Sequence, residues 1–84
     1  MIHIELSKQP KKYLGKCTLS DNRKLCTAIE GLKNLHGDII RLQGRDEYRL
    51  KLPPYRILFK YNKDDKVITI TRINTRGDVY KKGG

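Results

Sequence analysis

A chain of 84 residues with 19 Lys and Arg against 9 Asp and Glu, a formal charge of +10, supports a single domain (residues 1–84) with one small core, and favours a polyanionic partner. Two cysteines, Cys17 and Cys26, do not make a disulfide scaffold, and no further Cys or His stands at zinc-ligand spacing, so neither metal nor cofactor is expected. No apolar run approaches the roughly 20 residues of a membrane span and nothing resembles a signal peptide, so a reduced, cytoplasmic setting is expected.

Ile2, Ile4 and Leu6 alternate with His3 and Glu5, which predicts an opening strand. Ser7 can cap a short helix in which Pro10 falls in the first turn, where its missing N–H costs nothing. Tyr13 and Leu14 are the expected core contacts of that helix, and Gly15 to Leu19 the turn after it. A second helix is predicted from Ser20 or Asp21. Its Leu25, Ala28, Ile29, Leu32 and Leu35 follow the i, i+3, i+4, i+7 rule for one apolar stripe, and Gly37 is a candidate to end it. Asp38 to Glu47 reads as irregular, tacked to the core by Ile39 and Leu42.

Three further strands follow. Tyr48, Leu50 and Leu52 alternate with Arg49 and Lys51, and Tyr55, Ile57, Phe59 and Tyr61 alternate with Arg56, Leu58 and Lys60. Val67 to Asn74 is β-branched almost throughout, as suits a central strand. Pro53-Pro54 stands where the first two of these strands reverse. Proline cannot take the positive φ of a two-residue hairpin turn, so a wider loop or a cis peptide bond is expected. The order β-α-α-β-β-β predicts an α+β domain, a helical hairpin on one face of an antiparallel-rich twisted sheet. The charge is uneven: 12 basic and 5 acidic residues from Arg41 onward, 7 and 4 before it. The strand half is therefore the candidate anion-binding surface, with Arg49, Lys51, Arg56, Lys60 and Arg72 as its candidate phosphate-binding residues.

The ordered set Leu42-Gln43-Gly44, Tyr48 to Leu52, Tyr55 to Phe59 and Arg76 to Tyr80 resembles the RelE/ParE superfamily of toxin–antitoxin toxins over nearly the whole chain. The RelE branch consists of metal-independent endoribonucleases that cut mRNA in the ribosomal A site; ParE members inhibit DNA gyrase and typically lack the basic and tyrosine residues of RelE-type cleavage. The RelE-like pattern falls on Arg49, Lys51, Arg56, Arg76 and Tyr80. The resemblance implies a ribosome-dependent mRNA endoribonuclease held in check by a cognate antitoxin. The alternatives are a ParE-like gyrase inhibitor without catalysis and a non-toxic basic binding domain.

The chemistry of those residues is consistent with the first reading. Cleavage of RNA by its own 2′-hydroxyl needs a base, charge stabilisation at phosphorus and an acid for the leaving 5′-oxygen. The only histidines are His3 and His36, so the available groups are Lys, Arg and Tyr. Arg56 and Arg76 suit the phosphate, because a planar guanidinium binds two phosphate oxygens. Tyr80 is one candidate base, its phenol acidified by surrounding cations, and Lys51 is the other. Each residue alone reads as solvated sheet face, and Arg76 with Tyr80 as a packing pair. Only the constellation points to catalysis.

Overall fold

The computed structural model describes residues 1–42 and 46–75. Its elements are β1 (His3–Leu6), α1 (Lys8–Lys16), α2 (Leu19–Gly31), β2 (Asp38–Arg41), β3 (Glu47–Leu52), β4 (Tyr55–Asn62) and β5 (Val67–Thr75), with a 3₁₀ turn at Leu32–Asn34. The five strands form one sheet in the order β1-β5-β4-β3-β2, parallel between β1 and β5 and antiparallel elsewhere. Both helices pack on one face. Leu25, Ile29 and Leu32 meet Leu50, Tyr55, Ile57, Phe59, Ile68, Ile70 and Ile73 there in a single apolar core. The expected α+β hairpin-on-sheet architecture is the one observed.

The alternating strands fall where their period places them, and one segment corrects the sequence reading. Asp38–Arg41, expected to be irregular, is the edge strand β2, with Ile39 opposite Leu50 and Ile40 opposite Arg49. Four residues with two adjacent isoleucines carry no alternation to read, and the strand exists because β3 offers a partner. The helix boundaries also differ. α1 runs through Gly15 to Lys16, and the reversal is confined to Cys17 and Thr18. Thr18, rather than Ser20 or Asp21, caps α2, its hydroxyl accepting the Asp21 N–H at 3.1 Å. The apolar stripe holds for Leu25, Ile29 and Leu32, but Leu35 leaves it, with left-handed backbone (φ 52°) and 49 % exposure. Gly37 therefore does not end the helix. Its φ of +125° and the 2.7 Å from a built Cβ to Leu50 Cδ1 show what it does: it lets the chain enter β2 hard against β3.

Two details fix the far end of β5. Its parallel partner β1 stops at Leu6 opposite Ile70, leaving the next backbone groups at an unpaired edge. The Gln9 side chain takes over: its amide donates to Ile73 O at 2.9 Å and accepts from Ile73 N–H at 2.8 Å. One primary amide thus stands in for a missing stretch of strand. Gln9→Ala is expected to lower unfolding free energy by about 1–3 kcal/mol, read in a urea melt, because both half-buried backbone groups lose their partner.

The second detail is a β-bulge. On β4, Phe59 faces Ile70 and the adjacent Leu58 faces Arg72, so Thr71 is the extra residue, its hydroxyl donating to Leu58 O at 3.2 Å. The bulge shifts the alternation of β5 by one residue. Ile68, Ile70 and Ile73 all reach the core, and Arg72 emerges on the opposite face. Between β3 and β4 the Pro53-Pro54 peptide is cis, one of the two expected solutions, and Leu52 still pairs with Tyr55. None of the described helices is long and apolar enough to cross a membrane.

Candidate nucleic-acid interface

The sheet face turned away from the helices carries the basic residues, and strand register arranges them in rows. One row runs Asp38, Lys51, Arg56, Asn74 across β2, β3, β4 and β5; the next runs Ile40, Arg49, Leu58, Arg72. Side chains directly opposite across a strand pair stand about 5 Å apart at Cβ, and successive rows lie roughly 7 Å apart along the strands. Arg49, Lys51, Arg56 and Arg72 therefore form one compact cationic block. Lys51, Arg56 and Arg72 are exposed and Arg49 is half-buried. Arg49, Lys51 and Arg56 also line a recess with Pro53, Pro54 and Tyr55 beside the hairpin turn.

Lys60 belongs to a different neighbourhood. It lies four residues beyond Arg56 on β4, roughly 13 Å along the strand, opposite Glu47, whose carboxylate it meets at 3.9 Å. The other ion pair among the described residues is Lys33–Glu30 at 3.4 Å on the helical side. None of the four clustered cations has a carboxylate within ion-pair distance among the described residues, so their charge is available to a ligand. Arg49 adds an unmet donor: its Nε is buried with no hydrogen-bond partner among the described residues. Lys51 directly opposite Arg56 is a like-charge pair that costs the sheet stability, which an anion lying across both would relieve.

The remaining expected residues divide cleanly. Arg76 and Tyr80, the proposed acid or neutralising group and one of the two candidate bases, lie outside the described residues, as do Gln43 and Gly44. Tyr55 is a core residue, its ring edge-on to Tyr13 at 6.2 Å, and Tyr48 stacks on Phe59 at 5.5 Å on the helical side. His3 stands on β1, three strands from β3, and His36 lines a recess between α2 and β3. Among the described residues no three His, Cys, Asp or Glu side chains gather as a metal-binding group. Sequence reading placed Leu58 on this face with Arg56 and Lys60 but gave it no role, and it missed the bulge that brings Arg72 beside it. The signal was present in the core spacing: isoleucines at 68, 70 and 73 break a period of two.

Comparison with known proteins agrees with this architecture. Residues 5–80 match the family model described as the ParE toxin of the type II toxin–antitoxin system, parDE. The chain is 33% identical to RelE1 of Methanocaldococcus jannaschii, a protein provisionally named as a toxin, over 94% of each chain. It superposes on the archaeal RelE–RelB complex of Pyrococcus horikoshii with a TM-score of 0.75 at 27% identity, covering 90% of this chain and 96% of the other. The Escherichia coli RelBE complex shares the fold, with a TM-score of 0.75 at 16% identity over 89% of this chain and 96% of the other. A family match along nearly the whole chain, a relative of that identity and the shared hairpin-on-sheet fold lead to one conclusion: this chain belongs to the RelE/ParE superfamily, as a RelE-like toxin of the type II toxin–antitoxin class.

Proposed function

We propose that the chain is a metal-independent, ribosome-dependent mRNA endoribonuclease that arrests translation in the cytoplasm and is neutralised by a cognate antitoxin. The observation that carries this reading is the block of Arg49, Lys51, Arg56 and Arg72 on the sheet face away from both helices, with no carboxylate within ion-pair distance among the described residues. In the proposed reaction the 2′-oxygen bonds to the adjacent phosphorus as the bond to the 5′-oxygen breaks. Tyr80 or Lys51 takes the 2′-hydroxyl proton, Arg56 holds the phosphate oxygens, and Arg76 protonates or neutralises the leaving oxygen. Such a site lacks a strong acid–base pair, and a ribosome that fixes the mRNA in line would supply the orientation it lacks. The antitoxin is inferred from the Pyrococcus horikoshii RelE, which is paired with RelB. An acidic or amphipathic segment laid over the helices and basic face would complement the +10 charge.

One observation favours a second reading, gyrase inhibition without catalysis: the matching family model is that of the ParE toxins. Primer extension on a reporter mRNA, with and without programmed ribosomes, separates the two. Cuts in codon register that require ribosomes are expected. Intact mRNA under both conditions, with DNA-damage signalling on induction, would assign the chain to gyrase.

A further inference from the structure

The two rows of the open face differ in kind. The Lys51–Arg56 row is charge on charge, whereas the neighbouring row sets a half-buried leucine, Leu58, between two guanidinium side chains, Arg49 and Arg72, with Ile40 at its edge. On the assumption that the ribonuclease reading holds, we propose that Arg49, Leu58 and Arg72 form a platform for one nucleobase of single-stranded RNA, whose own phosphate rests on Lys51 and Arg56.

Three observations converge on it. The Thr71 bulge is what turns Arg72 onto this face and sets it directly opposite Leu58; a regular strand would have paired Leu58 with Thr71 and sent Arg72 toward the core. Bulges that re-aim one side chain concentrate beside functional sites. Next, the row has the chemistry of a base's flat face. Guanidinium groups are planar and weakly hydrated and stack on aromatic rings, and Leu58 supplies the apolar centre. Finally, the Nε of Arg49 is buried and has no hydrogen-bond partner among the described residues, so the inner end of its guanidinium is shielded from water, and no carboxylate of the described residues lies within ion-pair distance of it. The offset between rows, roughly 7 Å along the strands, is comparable to the reach of a nucleotide from phosphate to base. A duplex cannot use such a platform, because its base faces are already stacked; an unpaired strand can. The competing account is that the two arginine stems merely shield Leu58 from water.

The test is single-turnover cleavage on programmed ribosomes, using messages in which each A-site nucleotide is made abasic in turn. With wild-type protein, one abasic position is expected to slow cleavage roughly tenfold to a hundredfold, the range of a lost base–side-chain stack. Arg72→Lys and Leu58→Thr, with melting temperatures recorded alongside, are expected to show a similar loss on the intact message. The same abasic substitution should cost these variants nothing further, the non-additivity of two changes that remove one contact. Equal wild-type rates on intact and abasic messages, or losses that multiply, would overturn the platform while leaving the ribonuclease reading in place. Absence of any ribosome-dependent cleavage by wild-type protein would overturn both.

Discussion

Replacing Arg56 with alanine is expected to lower ribosome-dependent cleavage by about 10²–10³-fold, the usual cost of deleting one preorganised donor to a developing oxyanion. The domain should remain folded, with stability unchanged or raised by up to about 1 kcal/mol, the range of a cross-strand like-charge term. The two parts of that expectation come from one geometry. Arg56 is exposed on β4, faces Lys51 on one side and Asn74 on the other, and meets no carboxylate at ion-pair distance among the described residues. Among the described residues its charge is therefore a liability, which an anion spanning the row would relieve. A structural arginine behaves in the opposite way, losing stability on truncation. Single-turnover rates on programmed ribosomes, paired with urea melts of the same preparations, read both quantities. Arg56→Lys, which keeps the charge but not the two-pronged geometry, should recover only part of the rate. Full activity in Arg56→Ala would remove the phosphate-binding role from this row.

How much of this was legible in the sequence depends on whether local pattern or tertiary pairing made the element. β3 and β4 were readable because one face is buried, and burial of alternate residues forces a period of two. That same alternation put Arg49, Lys51, Arg56 and Lys60 on one side, as the sheet has them. What the period could not give was distance: only register shows that Lys51 faces Arg56 while Lys60 is drawn off by Glu47. β2 was illegible because four residues on an edge are stabilised by a partner rather than by their own pattern. Leu35 illustrates the reverse failure. It sits at the correct helical spacing, yet the chain has already turned at the 3₁₀ segment, and the residue faces water. The bulge lay between these cases. The isoleucine spacing contained it, but a β-branched run reads as a uniform strand unless each residue is asked which side it must take. Arg76 and Tyr80 remain assignments by resemblance, outside the described residues.

Tyr55 supplies the second large effect, and it appears only in alkali. The phenol is buried in the core at 6 % exposure, and its hydrogen bond to Asp21, followed by desolvation and the charge of that carboxylate, pushes its pKa well above the ordinary value near 10. The folded state therefore holds the proton after the unfolded chain has released it. This contribution is fully present below about pH 10, the unfolded value, and is lost as pH rises toward the folded one. Above pH 10 the wild-type domain is expected to lose stability relative to Tyr55→Phe, which has no such proton to lose, by about 1 kcal/mol between pH 10 and 11, the slope approaching about 1.4 kcal/mol per pH unit as the unfolded phenol becomes fully ionised. At pH 8 the variant should be the weaker of the two by about 1.5 kcal/mol, the low end for a bond to a charged acceptor, since Asp21 is half-exposed and can turn to water. Urea melts of both proteins at pH 8, 10 and 11 test this: curves that stay parallel through pH 11 would mean that the Asp21 contact carries no weight. Asp21 lies in the first turn of α2 and Tyr55 opens β4, directly after the cis-proline turn and directly before Arg56. The carboxylate that acts on the Tyr55 phenol thus belongs to the helical layer, while Arg56, the next residue along β4, lies on the opposite face of the sheet.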